Sequence, residues 1–332
     1  NNGYIAKYNS IGICQWAKKI DGNINYINIV ADAESSIYVA GSFYLGTLVF
    51  NNDIQLSSTG NNDGFIAKYN SDGVCQWAEK IAGTENDIVN GIDVDNVGNI
   101  AVTGRYSSLL LNFNNGIELN NSNIGYKNIY VAKYNSEGLC QWAEKITANF
   151  DCNAIGIYFD SIGNIVFGGD FWSETLLFNN GISLQRYGGL FGASNVFFAK
   201  YNSEGICQWA KRVAGTGNAS FLESMYLDTQ NNIYLSGRSN CATLEFNNGI
   251  SLSLTGGSYD SFFSKFNDNG ICQFANGIAG VSGVEGYFPI SSDSEGNIYI
   301  AKDFTKDSII FNVENILFKE GTRNVFFAKY NS

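Results

Sequence analysis

The chain has 332 residues, with 20 Lys and Arg against 31 Asp and Glu, and its formal net charge of −11 would repel a phosphate backbone or an anionic lipid surface. Apolar residues make up 45% and charged residues 15%, which supplies a packed core and excludes a charge-rich disordered chain. The 37 glycines, the single proline (Pro289), 14% aromatics and absence of histidine suit many short strands joined by glycine turns, and they remove imidazole-based catalysis and imidazole zinc sites.

In chain order, Gly3 to Asn9 and Ile13 to Ile20 (ICQWAKKI) read as a pair of strands. Gly64 to Asn70 alternates, ends in Asn-Ser-Asp-Gly, and is followed by Val74 to Ile81, which predicts a hairpin. Ile88 to Asp95 and Asn99 to Tyr106 form a second predicted pair across a glycine turn. Leu109 to Leu119 carries an Asn-Gly signal for a smaller hairpin, and Ile129 to Asn135 with Leu139 to Ile146 closes the set. Helical periodicity is absent, no window approaches the roughly 18 apolar residues of a spanning helix, and no basic-then-apolar leader opens the chain. Membrane insertion and nucleic-acid binding are therefore not expected.

These elements repeat. Ala-Lys-Tyr-Asn-Ser begins at Ala6, Ala67, Ala132, Ala199 and Ala328, with the variant Ser264 to Asp268. Cys-Gln-Trp-Ala begins at Cys14, Cys75, Cys140 and Cys207, with Phe274 replacing the tryptophan in the copy at Cys272, and the steps are 61, 65, 67 and 65 residues. Apolar residues on both strand faces, as in Val196-Phe197-Phe198-Ala199, require each sheet to be covered on both sides. Radially arranged blades satisfy that need. The expectation is an all-β fold: one β-propeller domain over 1–332 with five blades of about four antiparallel strands, the repeats starting near 3, 64, 129, 196 and 261.

The N-terminal strand 13–20 is expected to close the ring against the C-terminal strand, and because 3–9 and 325–332 are both third-strand copies, one of them, counted as 325–332, is in surplus. A displaced end, strand exchange with a second molecule, or a longer parent chain would each account for it.

The residues from Asp63 to Gly83 with Asp95 to Gly104, and from Asn195 to Gly215 with Asp228 to Gly237, resemble the SBBP-type β-propeller repeats. The resemblance spans essentially the whole chain. It implies the fold and brings no catalytic residues with it.

Most reactive side chains recur in step, and a catalytic pair would break the repeat. Asp32, Asp95, Asp160, Asp228 and Asp293 read as turn aspartates, and the repeated lysines as edge charges or partners for them. Asp93 to Gly98 lacks the bidentate glutamate of a calcium loop, so neither a metal nor another cofactor is expected. Five cysteines share one register and read as buried apolar residues, whereas Cys152 and Cys241 lie outside it and are weighed as a disulfide. The unpaired thiols lean towards a reducing compartment, while the resemblance allows a secreted or surface protein.

Binding chemistry is expected where the copies differ, in loops after the second strand of each repeat, at Arg105, Tyr106, Asp170, Trp172, Arg238 and Asp303. The function expected is a non-enzymatic structural or protein-interaction module. A carbohydrate-binding propeller is the alternative and a carboxylate-pair glycosidase the remote one. The partners expected are a protein or a glycan, with self-association through the terminal strands.

Overall fold

The computed structural model describes residues 2–121, 125–188, 193–215, 219–254, 259–278, 287–311 and 315–331. Their regular elements are all β-strands, and among the described residues no helix is long and apolar enough to cross a membrane. The chain groups into two compact units, residues 1–147 with 157–159 and 203–205, and residues 148–156, 160–202 and 206–332.

The first unit opens with a two-stranded hairpin of β1 (Gly3–Tyr8) and β2 (Cys14–Ile20). Then come β3 (Ile24–Ala31), β4 (Ile37–Phe43), the short ribbon β5 (Thr47–Val49) and β6 (Gln55–Ser57), β7 (Asp63–Tyr69) and β8 (Cys75–Ile81). The sheet order is β3-β4-β7-β8, antiparallel throughout. The same succession recurs in β9 (Asp87–Val94), β10 (Ile100–Tyr106), β11 (Leu110–Asn112), β12 (Glu118–Asn120), β13 (Asn128–Tyr134) and β14 (Cys140–Ala148). Here β9, β10, β13 and β14 lie side by side.

The second unit continues with β15 (Cys152–Phe159), β16 (Ile165–Phe171), β17 (Thr175–Leu177), β18 (Ser183–Gln185), β19 (Asn195–Tyr201) and β20 (Cys207–Gly215). A further copy holds β21 (Ser220–Leu227), β22 (Ile233–Ser239), β23 (Thr243–Glu245), β24 (Ser251–Ser253), β25 (Asp260–Phe266) and β26 (Cys272–Ile278). The last holds β27 (Ile290–Ser292), β28 (Ile298–Phe304), β29 (Ser308–Ile310), β30 (Ile316–Phe318) and β31 (Asn324–Tyr330). Its sheet has three strands, β27-β28-β31. We call the four strand positions of a repeat A, B, C and D. β2 pairs with its sequence neighbour β1, and β31 with β28.

Local chemistry explains the recurrence. At each A–B turn one aspartate oxygen accepts two backbone amides, as Asp95 does from Val97 at 3.0 Å and Asn99 at 2.8 Å, and Asp32, Asp160, Asp228 and Asp293 repeat the arrangement. At the C–D turn Asn70 accepts from Asp72 and Val74, and Gly73 takes φ +73°, a conformation open to glycine. A register shift then makes Gln76 the extra residue of a bulge, with Lys68 opposite Trp77 and Tyr69 opposite Cys75. The bulge turns Cys75 into the core and leaves Gln76 exposed.

Two devices stitch successive repeats together. Trp16 donates its indole N–H to the Ser71 carbonyl at 2.9 Å, Trp77 to Ser136 at 3.3 Å and Trp142 to Ser203 at 3.0 Å. A Cβ on Gly138 would lie 2.8 Å from the Trp77 ring, so the turn glycine is also the seat for the indole. Three of the short ribbons also bond the end of the preceding D strand, through Asp21 with Val49, Ala82 with Asn112, and Ala214 and Gly215 with Glu245 and Leu244. The core lies between consecutive sheets: in the first unit Tyr38, Ile66 and Ile81 meet Ile100, Tyr130 and Tyr134, and in the second Tyr234 and Phe263 meet Ile290, Ile300 and Phe326.

Candidate functional site

The six residues expected in loops after strand B are placed differently. Arg105, Tyr106, Asp170, Arg238 and Asp303 lie inside strand B, and Trp172 follows it. Strand pairing runs through them, with Arg105 opposite Ile129 and Tyr106 opposite Asn128. The glycine before them, which suggested a turn, answers to crowding instead. A Cβ on Gly41, Gly104, Gly169 or Gly237 would sit 1.9 to 2.1 Å from a carbonyl oxygen of strand A. Strand A bulges close by, at Asn25, Asn90 and Glu223. The last repeat has Lys302 in place of this glycine, and there strand A pairs no further than Ile290 with Ile300.

Tyr106 is fully buried with its ring edge-on to Tyr130 at 6.3 Å, so it belongs to the core and not to a ligand surface. Asp170 is 4% exposed and accepts the Leu222 amide at 2.5 Å; burial pushes its carboxyl well above the ordinary range.

Asp170, Trp172 and Arg238 converge in the second unit around the bulged strand β21. The Trp172 ring packs on Phe221 at 5.7 Å, and the Arg238 guanidinium lies 4.9 Å from the ring centres of both Phe221 and Tyr259. Glu223 pairs with Lys302 and stands 3.5 Å from Arg238. Burial raises the Glu223 carboxyl and the nearby Asp303 adds to that, while Lys302 and Arg238 pull it down. Asp303 itself holds Arg323 at 2.5 Å. The residues thus brought together neutralise one another inside the fold. Asp170 and Glu223, two carboxylates near each other, are engaged by a backbone amide and by two cations.

Arg105 has different surroundings. It lines a cleft of about 490 Å³ in the first unit, at the same end of strands A and B. Asn25, Asn62 and Asn86 form an amide ladder on its wall: Asn25 donates to Asn62 at 2.5 Å and Asn62 to Asn86 at 2.7 Å. Tyr26, 48% exposed, stands at the cleft with its hydroxyl on Asn28. Arg105 and Lys127 supply two cations, and the described lining residues include no carboxylate. Sequence reading reached Arg105 through its variability but missed the asparagines, whose abundance throughout the chain hides them.

The remaining recurrent groups are structural. In the ribbon turn Asn51 accepts the Cys75 amide at 2.7 Å and donates to the Gly73 carbonyl at 2.7 Å, and Asn114 does the same at Cys140 and Gly138. Lys200 reaches Asp160 at 2.8 Å, Lys329 stands 3.9 Å from Asp293, and Lys68 and Lys265 lie over the rings of Tyr38 and Tyr234. Cys75, Cys140, Cys207 and Cys272 are buried, which pushes their thiols up to about 12. The disulfide weighed for Cys152 and Cys241 is not formed. Both are buried thiols, and Cys241 packs against Gly215 with its sulfur 3.7 Å from the Ser220 hydroxyl.

No family model matches the chain. Over 233 residues, 61% of its length, it is 26% identical to an uncharacterized WD repeat-containing protein of Acanthamoeba polyphaga mimivirus. It spans 17% of that relative. Among solved structures, it is similar to a Bacteroides caccae protein of unknown function, at 13% identity, TM-score 0.30, and 71% and 78% coverage of the two chains. It is also similar to BamB from Moraxella catarrhalis, at 10% identity, TM-score 0.28, and 88% and 91% coverage.

Proposed function

We propose that the chain is a single β-propeller of SBBP-like repeats that serves as a non-enzymatic protein-interaction module. Five A–B pairs, each followed by a ribbon and a C strand, count as five blades. The relative's description as a WD repeat-containing protein agrees with a repeat scaffold. One observation carries the interaction role: the repeated Asp, Lys, Cys and Trp side chains work within or between repeats, while the last repeat exposes large apolar groups. Val325 is 76% and Phe327 69% exposed, on a sheet of three strands where the preceding repeat has four, and Phe318 on the ribbon strand β30 is 72% exposed. Such an edge accepts a partner strand.

The test compares wild type with Val325→Lys and Phe327→Lys in co-purification from the native source, read by quantitative mass spectrometry. A defined partner lost from both variants supports the role. An identical set of captured proteins refutes it. Single-particle imaging that showed any blade number but five would refute the blade count.

A further inference from the structure

We infer that the first-unit cleft binds a neutral pyranose, recognised through its hydroxyls and one C–H face. The inference goes beyond the interaction reading and does not rest on it.

The second unit holds a filled copy of the same place. Ser42 and Asp170 occupy one register position, next to last in strand B and opposite Gly64 and Val196 of strand C. Asp170 crosses to strand β21 and accepts the Leu222 amide. The shorter Ser42 is 3% exposed, and its hydroxyl makes no hydrogen bond with the described residues. Ile88 and Phe221 likewise share a position, the second of strand A. Phe221 is covered by the rings of Trp172 at 5.7 Å and Tyr259 at 5.9 Å. In the first unit a serine and an aliphatic side chain stand where the second has an aspartate and a covered ring. The space left is the cleft of about 490 Å³, within the range of roughly 300–1,000 Å³ of small-ligand sites.

The lining offers hydrogen bonds and asks for no counter-charge. Arg105, Lys127 and Asn90 are each engaged within the chain. An anion would approach them against a net charge of −11. The hydroxyls of Ser42 and Ser107 have no partner among the described residues, and Ser42 is held in a buried position. Leaving a buried polar group unpaired is costly, so a ligand that pairs it is favoured. The ladder from Asn25 to Asn62 to Asn86 leaves the Asn25 Oδ1 as an acceptor at one end and the Asn86 Nδ2 as a donor at the other. A sugar hydroxyl is both donor and acceptor, so vicinal hydroxyls meet the serines and both ends of the ladder. Tyr26, 48% exposed, offers one ring face to pyranose C–H groups. A flat base is better held between two faces, and Tyr26 is the one ring among the described lining.

The test titrates ¹⁵N-labelled protein with the methyl pyranosides of D-glucose, D-galactose and D-mannose, and with cyclohexanol, sodium D-glucuronate and adenosine, and follows backbone amide shifts. At least one of the three glycosides is expected to shift the amides of Ser42, Asn62 and Asn86 saturably, with cyclohexanol about tenfold or more weaker and neither glucuronate nor adenosine tighter. Ser42→Ala should weaken that glycoside about three- to tenfold, the worth of one hydrogen bond. Ile88→Phe, which installs the second unit's ring, should weaken it about tenfold or more, both with circular dichroism unchanged. No saturable shift with any of the three up to about 50 mM overturns the inference. So does cyclohexanol binding as well as the glycoside, glucuronate or adenosine binding more tightly, or unchanged affinity in either folded variant. The wild-type ligand series decides the matter even where a variant does not fold.

Discussion

Gly104→Ala isolates the A–B crowding. The new Cβ would lie 1.9 Å from the Ile88 carbonyl oxygen and 2.8 Å from the Tyr130 hydroxyl, so strand A must retreat by more than an ångström. Bond angles cannot absorb that, since about 7° of distortion already costs about 1 kcal/mol. Strand β9 would instead lose ladder hydrogen bonds on either side of its bulge, each worth about 1 kcal/mol net, and the core contacts of buried Val89 would loosen. We expect a loss of about 2–4 kcal/mol from this overpacking. Gly116→Ala is the control: it has φ +72° and nothing within 4 Å of its Cβ, so only the left-handed backbone opposes it, at about 1–2 kcal/mol. Urea unfolding followed by tryptophan fluorescence gives both values. A Gly104→Ala loss no larger than the control's would refute the crowding as the reason for glycine.

Lys302→Ala leaves Glu223 buried with Arg238 alone, 3.5 Å away, and should cost about 2–4 kcal/mol, part of it recovered by adding Glu223→Gln; equal stability of the single and double variants would argue against the pair. Asp93 accepts the Phe159 amide at 2.7 Å, and burial raises its carboxyl from 3.8 to about 6. A raised carboxylate destabilises the fold only once it ionises, so the cost is absent below the unfolded value and builds as pH rises towards the folded one. Asp93→Asn, compared with wild type by urea unfolding, should therefore gain nothing near about pH 4 and about 1–2 kcal/mol at about pH 7, allowing for solvent screening; a pH-independent difference would contradict this. Native alkylation with iodoacetamide should modify Cys14, the exposed thiol of the seven, and reach the buried six after unfolding. Rapid native modification of Cys75 or Cys140 would show that the core opens.

Much of the fold is legible because it is local. Asn-Ser-x-Gly and Asp-x-x-Gly-Asn set their own turns through side-chain caps and a positive φ, and the strand bounds expected for the second repeat lie within two residues of those found. The repeat spacing carries the rest of the register. What escaped is contact-dependent. The glycine of strand B looks like a turn signal until the strand A carbonyl 1.9 to 2.1 Å from its would-be Cβ is known. The asparagine pair of the first four ribbons looks like a hairpin signal, and its clamp on the cysteine backbone 23 to 28 residues onward is invisible in composition.

By itself the sequence determined the strand series, the turns and the structural standing of the recurrent Asp, Lys, Cys and Trp, because period and turn chemistry act within a few residues. Only the tertiary structure decided the fate of the positions that vary. Arg105 and Arg238 are the same residue at the same place in the repeat, yet Glu223 and Tyr259 enclose one while Asn90 and Lys127 stand beside the other in an open cleft. The neighbours lie 15 to 22 residues away in the chain, and a side chain's surroundings are set by what folding brings beside it.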